Sequence, residues 1–246
     1  MNIYNQLKNS FEKLIVENNF EDETITVDIK TLSPEESIGK NTKRKDFPIL
    51  TGKESMIEAT FKGAKGQAFT TARVSFNGKL SDLSDLNVGE NPYDTGIFIA
   101  VLNAVMKYLK LIDQTVHCKN EEPELCANHV VNFMTENFPD KKIALVGYQP
   151  SMLEALAKAG VNLRNLDLNP ANIGDTRYGV LVEHGKDNYE EVINNWADVV
   201  LCTGSTIING SIYDYLDLDI PVIFYGNTIA GAAKCLGLNR ICYCAI

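Results

Sequence analysis

Beyond residue 142 the chain repeats one pattern: a short apolar run, a polar turn, then apolar residues at helical spacing. The runs Lys142–Gly147, Asn162–Leu168, Gly179–Glu183, Val199–Cys202, Ile220–Tyr225 and Arg240–Cys244 read as strands. Helical spacing fills 151–159, 188–195, 207–216 and 228–236. A chain of alternating short strands and helices can bury its apolar faces only as an α/β layer. It therefore forms a doubly wound, mostly parallel sheet. Ligands of such sheets lie beyond the carboxyl ends of the strands. Five turns mark those ends: Gly147–Pro150, Asp167–Pro170, Glu183-His184, Cys202–Thr206 and Tyr225–Thr228.

The fourth turn, Thr203-Gly204-Ser205-Thr206, follows the most apolar strand and precedes Ile207, Ile208, Ile212, Tyr215 and Leu216 at helical spacing. Hydroxyls, a glycine and a helix start together form a candidate site for a polar or anionic group. The alternative is a well-capped turn with no ligand. The first turn, Gly147-Tyr148-Gln149-Pro150-Ser151, lacks the glycines of a dinucleotide fingerprint. Asp167 lies about 20 residues further on, where a ribose-binding acid sits. NAD is thus disfavoured, and a methyltransferase-like nucleoside site stays open. The chain has no phosphate loop, nucleophile elbow or H-E-x-x-H motif. Asp167 and Glu183, with His184 beside the latter, are the candidate acids and bases; each also reads as a cap or a surface charge.

The first 112 residues have a different rhythm. Residues 3–17 place Ile3, Leu7, Phe11, Leu14 and Ile15 on one helical face. Thr24–Leu32 alternates as a strand, with Ile25, Val27 and Ile29 on one side, and Phe47–Leu50 and Ser55–Phe61 read as two more. Lys62–Thr70 carries two glycines and reads as a hairpin or strand connection, with a ligand-facing loop as the alternative. Asn91-Pro92-Tyr93-Asp94-Thr95 opens a helix of about 97–110, apolar nearly all round. Asn103 interrupts it, and must bond to neighbouring backbone or face a cleft. The polar, acidic stretch 113–123 ends in proline and reads as a linker. It divides an α+β domain of residues 1–112 from the α/β domain of 124–246.

Acidic residues outnumber basic ones, 32 to 23, for a net charge of −9. That excludes a nucleic-acid backbone as partner. The one basic cluster, Lys40–Lys45, reads as a solvated loop. No segment has the length and apolarity of a membrane span, and the charged N-terminus is not a signal peptide. A cytoplasmic protein with six reduced cysteines is expected. Cys202 reads as core, and Cys242-Tyr243-Cys244 alone is a weak metal motif. His117-Cys118 with Cys126 and His129 could supply four zinc ligands, at a spacing that matches no common zinc pattern.

Several motifs carry a family resemblance: Asn91-Pro92 with Gly96, Ala100 and Asn103-Ala104; Val146-Gly147-Tyr148 with Pro150; and Asp167-Leu168-Asn169-Pro170. Ala197-Asp198 with Thr203-Gly204-Ser205-Thr206 and Asn209-Gly210, and Tyr225-Gly226-Asn227-Thr228, carry it further. In these the chain resembles the "putative heavy-metal chelation" domain family over nearly its whole length. The resemblance implies a Rossmann-like C-terminal domain preceded by an enolase N-terminal-like domain, with a pocket where the two meet. It implies a role in handling metals, by making, modifying or binding a small chelating metabolite. Direct metal carriage and S-adenosylmethionine chemistry are the alternatives. Gly226-Asn227-Thr228 stands where the family has a Gly-Pro-Thr-like turn, and Gln67–Thr70 replaces a more Pro- and Trp-containing version. The expected ligand is a small polar or anionic metabolite. Its contacts are Asn91, Tyr148, Gln149, Asp167, Asn169, Thr203–Thr206, Asn209 and the Gly226–Thr228 turn. A divalent metal is the one cofactor left open, and a homo-oligomer is compatible with the resemblance.

Overall fold

The computed structural model describes residues 2–28, 33–42, 44–51, 55–70 and 76–246. The N-terminal part pairs a helix, α1 (Ile3–Glu17), with four antiparallel strands: β1 (Thr24–Asp28), β2 (Ser55–Phe61), β3 (Ala64–Thr70) and β4 (Phe76–Lys79), in the order β3-β2-β1-β4. Residues 29–32 of the expected first strand lie outside the described residues. The glycine-containing stretch is a tight hairpin. Lys62 and Gly63 both take positive φ, 47° and 85°, and Phe61 faces Ala64. That is the backbone a two-residue hairpin turn requires. The expected strand at 47–50 is instead a 3₁₀ turn over Pro48–Thr51, where proline removes the N–H a ladder needs. A single helical turn, α2 (Pro34–Ile38), precedes it with a Ser33–Glu36 capping box.

The helix α3 (Pro92–Tyr108) is buried from Thr95 to Met106. It lies between the antiparallel sheet and the helices of the C-terminal half. Close packing on one side depends on Gly66 of β3, where a Cβ would come 2.3 Å from the Ala100 carbonyl oxygen and the Ala104 nitrogen. Asn103 holds both sides. Its Nδ2 donates to the carbonyls of Gln67 (3.1 Å) and Thr228 (2.9 Å), and its Oδ1 accepts from Gly231 N–H (2.7 Å). It therefore bonds backbone, from two segments distant in sequence, and does not open onto a cleft.

The C-terminal half follows α4 (Glu122–Asn137). Its strands are β5 (Lys142–Val146), β6 (Asn162–Asp167), β7 (Thr176-Arg177), β8 (Val180–His184), β9 (Val199–Thr203), β10 (Val222–Tyr225) and β11 (Arg240-Ile241). They make one seven-stranded sheet in the order β11-β10-β9-β5-β6-β8-β7, parallel except for the β7–β8 pair. The helices α5 (Pro150–Lys158), α6 (Thr206–Asn209) and α7 (Ala230–Leu236) follow their strands. Two expected helices are shorter than their periodicity predicts. Residues 188–195 give one π turn, Glu190–Asn194. Residues 207–216 split at Gly210 (φ 80°) into the four-residue α6 and a 3₁₀ turn. The last strand stops at Ile241, so Cys242–Ile246 leaves the sheet as a tail.

The 113–123 stretch is hydrogen-bonded on both sides. Thr115 and His117 bond Lys65 and Gln67 of β3, and Val116 pairs with Ile246 of the tail in both directions (2.7 and 3.0 Å). The Lys40–Lys45 cluster is not wholly solvated. Lys43 lies outside the described residues, but the Arg44 guanidinium is largely buried and bonds Asp46, Glu124 and Glu154. This anchor holds Phe47–Ile49 over the carboxyl edge of the parallel sheet. Among the described residues no helix is long and apolar enough to cross a membrane.

Candidate functional site

The strand order turns back between β5 and β9, and that switch point is where an open α/β sheet presents a crevice. Gly147 follows β5 with φ 92°, and a Cβ there would come 2.7 Å from Thr203 Cγ2. The two turns can pass this closely only with glycine at 147. The Tyr225 hydroxyl closes the same point by donating to the carbonyl of Val146 (3.1 Å).

Above it lies a cavity of about 660 Å³. Four of the five strand-end turns line it, through Tyr148-Gln149, Asp167 and Asn169, Thr203–Thr206 with Asn209, and Gly226–Thr228. The N-terminal half supplies its other wall, chiefly Ile38, Phe47, Ile49 and Phe69. One expected contact, Asn91, and one candidate acid or base, Glu183, are absent from its lining. Asn91 caps α3 by accepting from Tyr93 N–H (2.9 Å), and only its neighbour Pro92 reaches the cavity. Glu183 is held by Arg164 (Nε···Oε1 2.7 Å), which also bonds Glu191. From that fifth turn only Gly185 lines the cavity, and His184 Nδ1 accepts from the backbone N–H of Asp187 (3.1 Å).

Most of the polar side chains in the turns hold the turns themselves. Thr206 donates to the Thr203 carbonyl (2.8 Å), and Thr203 Oγ1 accepts from Ser205 N–H (3.3 Å). The Ser205 hydroxyl is the one not bonded within the turn. A four-residue α6 also lacks the dipole expected of a full helix at this position. Asp167 accepts from the backbone N–H groups of Tyr148 (2.6 Å) and Asn169 (2.6 Å), one on each oxygen, and so ties the first turn to the second while lining the cavity. Burial raises its pKa against the pull of those hydrogen bonds. Asn169 and Asn209 make short local turns with Ala171 and Ser211. Asn227 and Thr228 are buried, and they bond Thr115 and Phe69 of the N-terminal half.

Tyr148 and His117 stand in the cavity wall, with the Tyr148 hydroxyl beside that of Tyr178 and the His117 ring beside the backbone of Ser37 and Cys118. Desolvation pushes the His117 pKa down to about 4, so its ring is neutral at physiological pH. The ring stands edge-on to Phe69, with centroids 5.3 Å apart. In the sequence His117 appeared only as a zinc ligand; nothing local marks it as facing the sheet edge.

The other end of the cavity is sulfur. Cys118, Cys126 and Cys242 line it. The Cys126 thiol hydrogen-bonds with those of Cys242 and Cys244, and Cys118 lies close enough to feel their charge. The bond with Cys242 is the main cause of a Cys126 pKa lowered to about 6. Burial raises that of Cys118. The expected set of His117, Cys118, Cys126 and His129 does not form, because His129 packs on Tyr243 (5.4 Å between centroids). Among the described residues no three His, Cys, Asp or Glu side chains stand ready to share one metal ion.

Residues 129–235 match the model of the DUF364 family, described as putative heavy-metal chelation. The chain is similar to a DUF364-family protein of unknown function from Pyrococcus horikoshii. The TM-score is 0.54 at 14% identity, covering 92% of this chain and 79% of that one. It is similar also to a DUF364-family protein of unknown function from Desulfitobacterium hafniense DCB-2. There the TM-score is 0.54 at 11% identity, covering 94% of this chain and 83% of that one. At these identities the likeness is one of fold. No curated protein matches the chain.

Proposed function

We propose that this chain is a DUF364-family protein, on the match of residues 129–235 to that family's model, and that its cavity binds a small metabolite that chelates metal or is made into a chelator. We read residues 124–246 as a Rossmann-like domain and residues 1–112 as an enolase N-terminal-like domain, with 113–123 as the linker between them. The carrying observation is the cavity of about 660 Å³ at the switch point, where the polar turns after β5, β6, β9 and β10 face the apolar Phe47, Ile49 and Phe69. Small-molecule sites have this size and this sparse placement of polar groups among apolar walls. The ligand carries a polar end toward Tyr148, Ser205 and His117 and an apolar body against Phe47, Ile49 and Phe69. Its polar end is neutral or anionic, since the cavity offers donors and a neutral imidazole there. A cytoplasmic, homo-oligomeric protein fits this reading.

The test is a thermal-shift screen of chelating metabolites and their precursors, with and without metal. Binding raises the melting temperature in a concentration-dependent way. Ser205→Phe, which fills the cavity, abolishes the shift without lowering the ligand-free melting temperature. A shift that survives in Ser205→Phe contradicts the assignment.

A further inference from the structure

Four of the six cysteines meet although they lie in three separate stretches of sequence. Cys118 follows the segment that pairs with the C-terminal tail through Val116 and Ile246. Cys126 stands near the start of α4, and Cys242 and Cys244 lie on the tail itself. The pairing of tail and segment is what brings them together. Packing does not explain the group. Cys202 shows how a packing cysteine sits here, fully buried in β9 beside Thr206, whereas Cys126, Cys242 and Cys244 are only partly buried. All are free thiols, and Cys126 and Cys242 open onto the cavity.

A fixed cation stands beside them. Arg240 donates to the carbonyls of Gly226 (2.8 Å) and Gln114 (2.8 Å), and its guanidinium also bonds the Cys242 sulfur. Arg240 thus places a positive charge where a pair of thiolates bound to a metal would need one. Zinc asks for four ligands in a tetrahedron, and no three are in place among the described residues. Two adjacent thiolates do suffice for a soft monovalent ion, and sulfur ligands select copper(I).

We propose that Cys126 and Cys242 form a two-thiolate site for copper(I) at the sulfur end of the cavity, with Arg240 as its countercharge. On binding, both S–H bonds lose their protons to solvent and two S–Cu bonds form. The bis-thiolate copper unit carries one negative charge, which Arg240 offsets. No oxidant or reductant takes part. Its two ligands are other residues than Tyr148 and Ser205, although all four line the same cavity.

The experiment is an anaerobic titration of the reduced full chain with copper(I) against a chromophoric copper(I) chelator. The expected result is one copper per chain, an ultraviolet thiolate-to-copper band and release of protons. Cys126→Ser and Cys242→Ser each lose the band and the bound copper, while Cys235→Ser keeps both. Should a serine variant fail to fold, alkylation of the wild type followed by peptide mass spectrometry decides. Copper(I) then protects Cys126 and Cys242 and leaves Cys235 reactive. No uptake by reduced protein overturns the proposal, as does equal uptake by Cys126→Ser. So does tighter binding of zinc that protects all four cysteines.

Discussion

The polar end of the cavity is assembled from turns that each follow their own strand, and every one is spelled out within a few consecutive residues. The sulfur end is assembled from Cys118, Cys126 and the 242–244 tail, joined only when Val116 pairs with Ile246. The polar end is rigid by internal bonding: Asp167 ties two turns, and Thr203 and Thr206 bond within their own. The sulfur end is held by tail pairing and by Arg240. One end offers shape and a few polar groups; the other offers reactive groups.

Substitutions separate the two ends. Asn103→Ala breaks the seam beneath both, leaving the Gly231 N–H and the carbonyls of Gln67 and Thr228 without their partner in the core. It is expected to cost at least about 3 kcal/mol in urea denaturation. Gly147→Ala acts on the polar end alone, by placing a Cβ against Thr203 at a left-handed φ. A loss of about 1–3 kcal/mol is expected, with metabolite binding impaired and copper binding retained; loss of both would join the two ends into one unit.

His117 gives the comparison a pH axis. Its folded pKa, about 4, lies below the ordinary value of 6.5. Between those values the unfolded chain binds a proton that the folded chain refuses, so stability falls as pH drops from about 6.5 to about 4. In His117→Asn this part of the slope disappears, as paired denaturation curves at pH 7 and pH 4.5 would show. The smallest effect belongs to Glu183. Glu183→Gln leaves Arg164 its second partner, Glu191, and is expected to cost about 1 kcal/mol with ligand binding unchanged. A binding defect there would return Glu183 to the site.

The alternation of strands and helices after residue 142 was legible because each buried strand is a local apolar run, and so were the turns that follow them. Helix lengths were less so. The spacing of Ile207, Ile212 and Leu216 continues through Gly210, whose left-handed backbone ends the helix. Pro48 defeated an apolar run that otherwise reads as a strand. Asp167 was found by its distance from the first turn, but its role as a tie between turns depends on backbone N–H groups that no motif displays. Glu183 was misplaced because a strand-end acid looks the same whether it faces a cavity or Arg164. The thiol group was invisible as a group: each cysteine is plain in the sequence, and the pairing of the tail that unites them spans more than a hundred residues.

The central claim is that the cavity at the switch point holds a small molecule. Native mass spectrometry of the full chain after incubation with a metabolite extract tests it most directly. One non-covalent small-molecule adduct per chain is predicted on the wild type and none on Ser205→Phe. No adduct on either protein, or the same adduct on both, would contradict it.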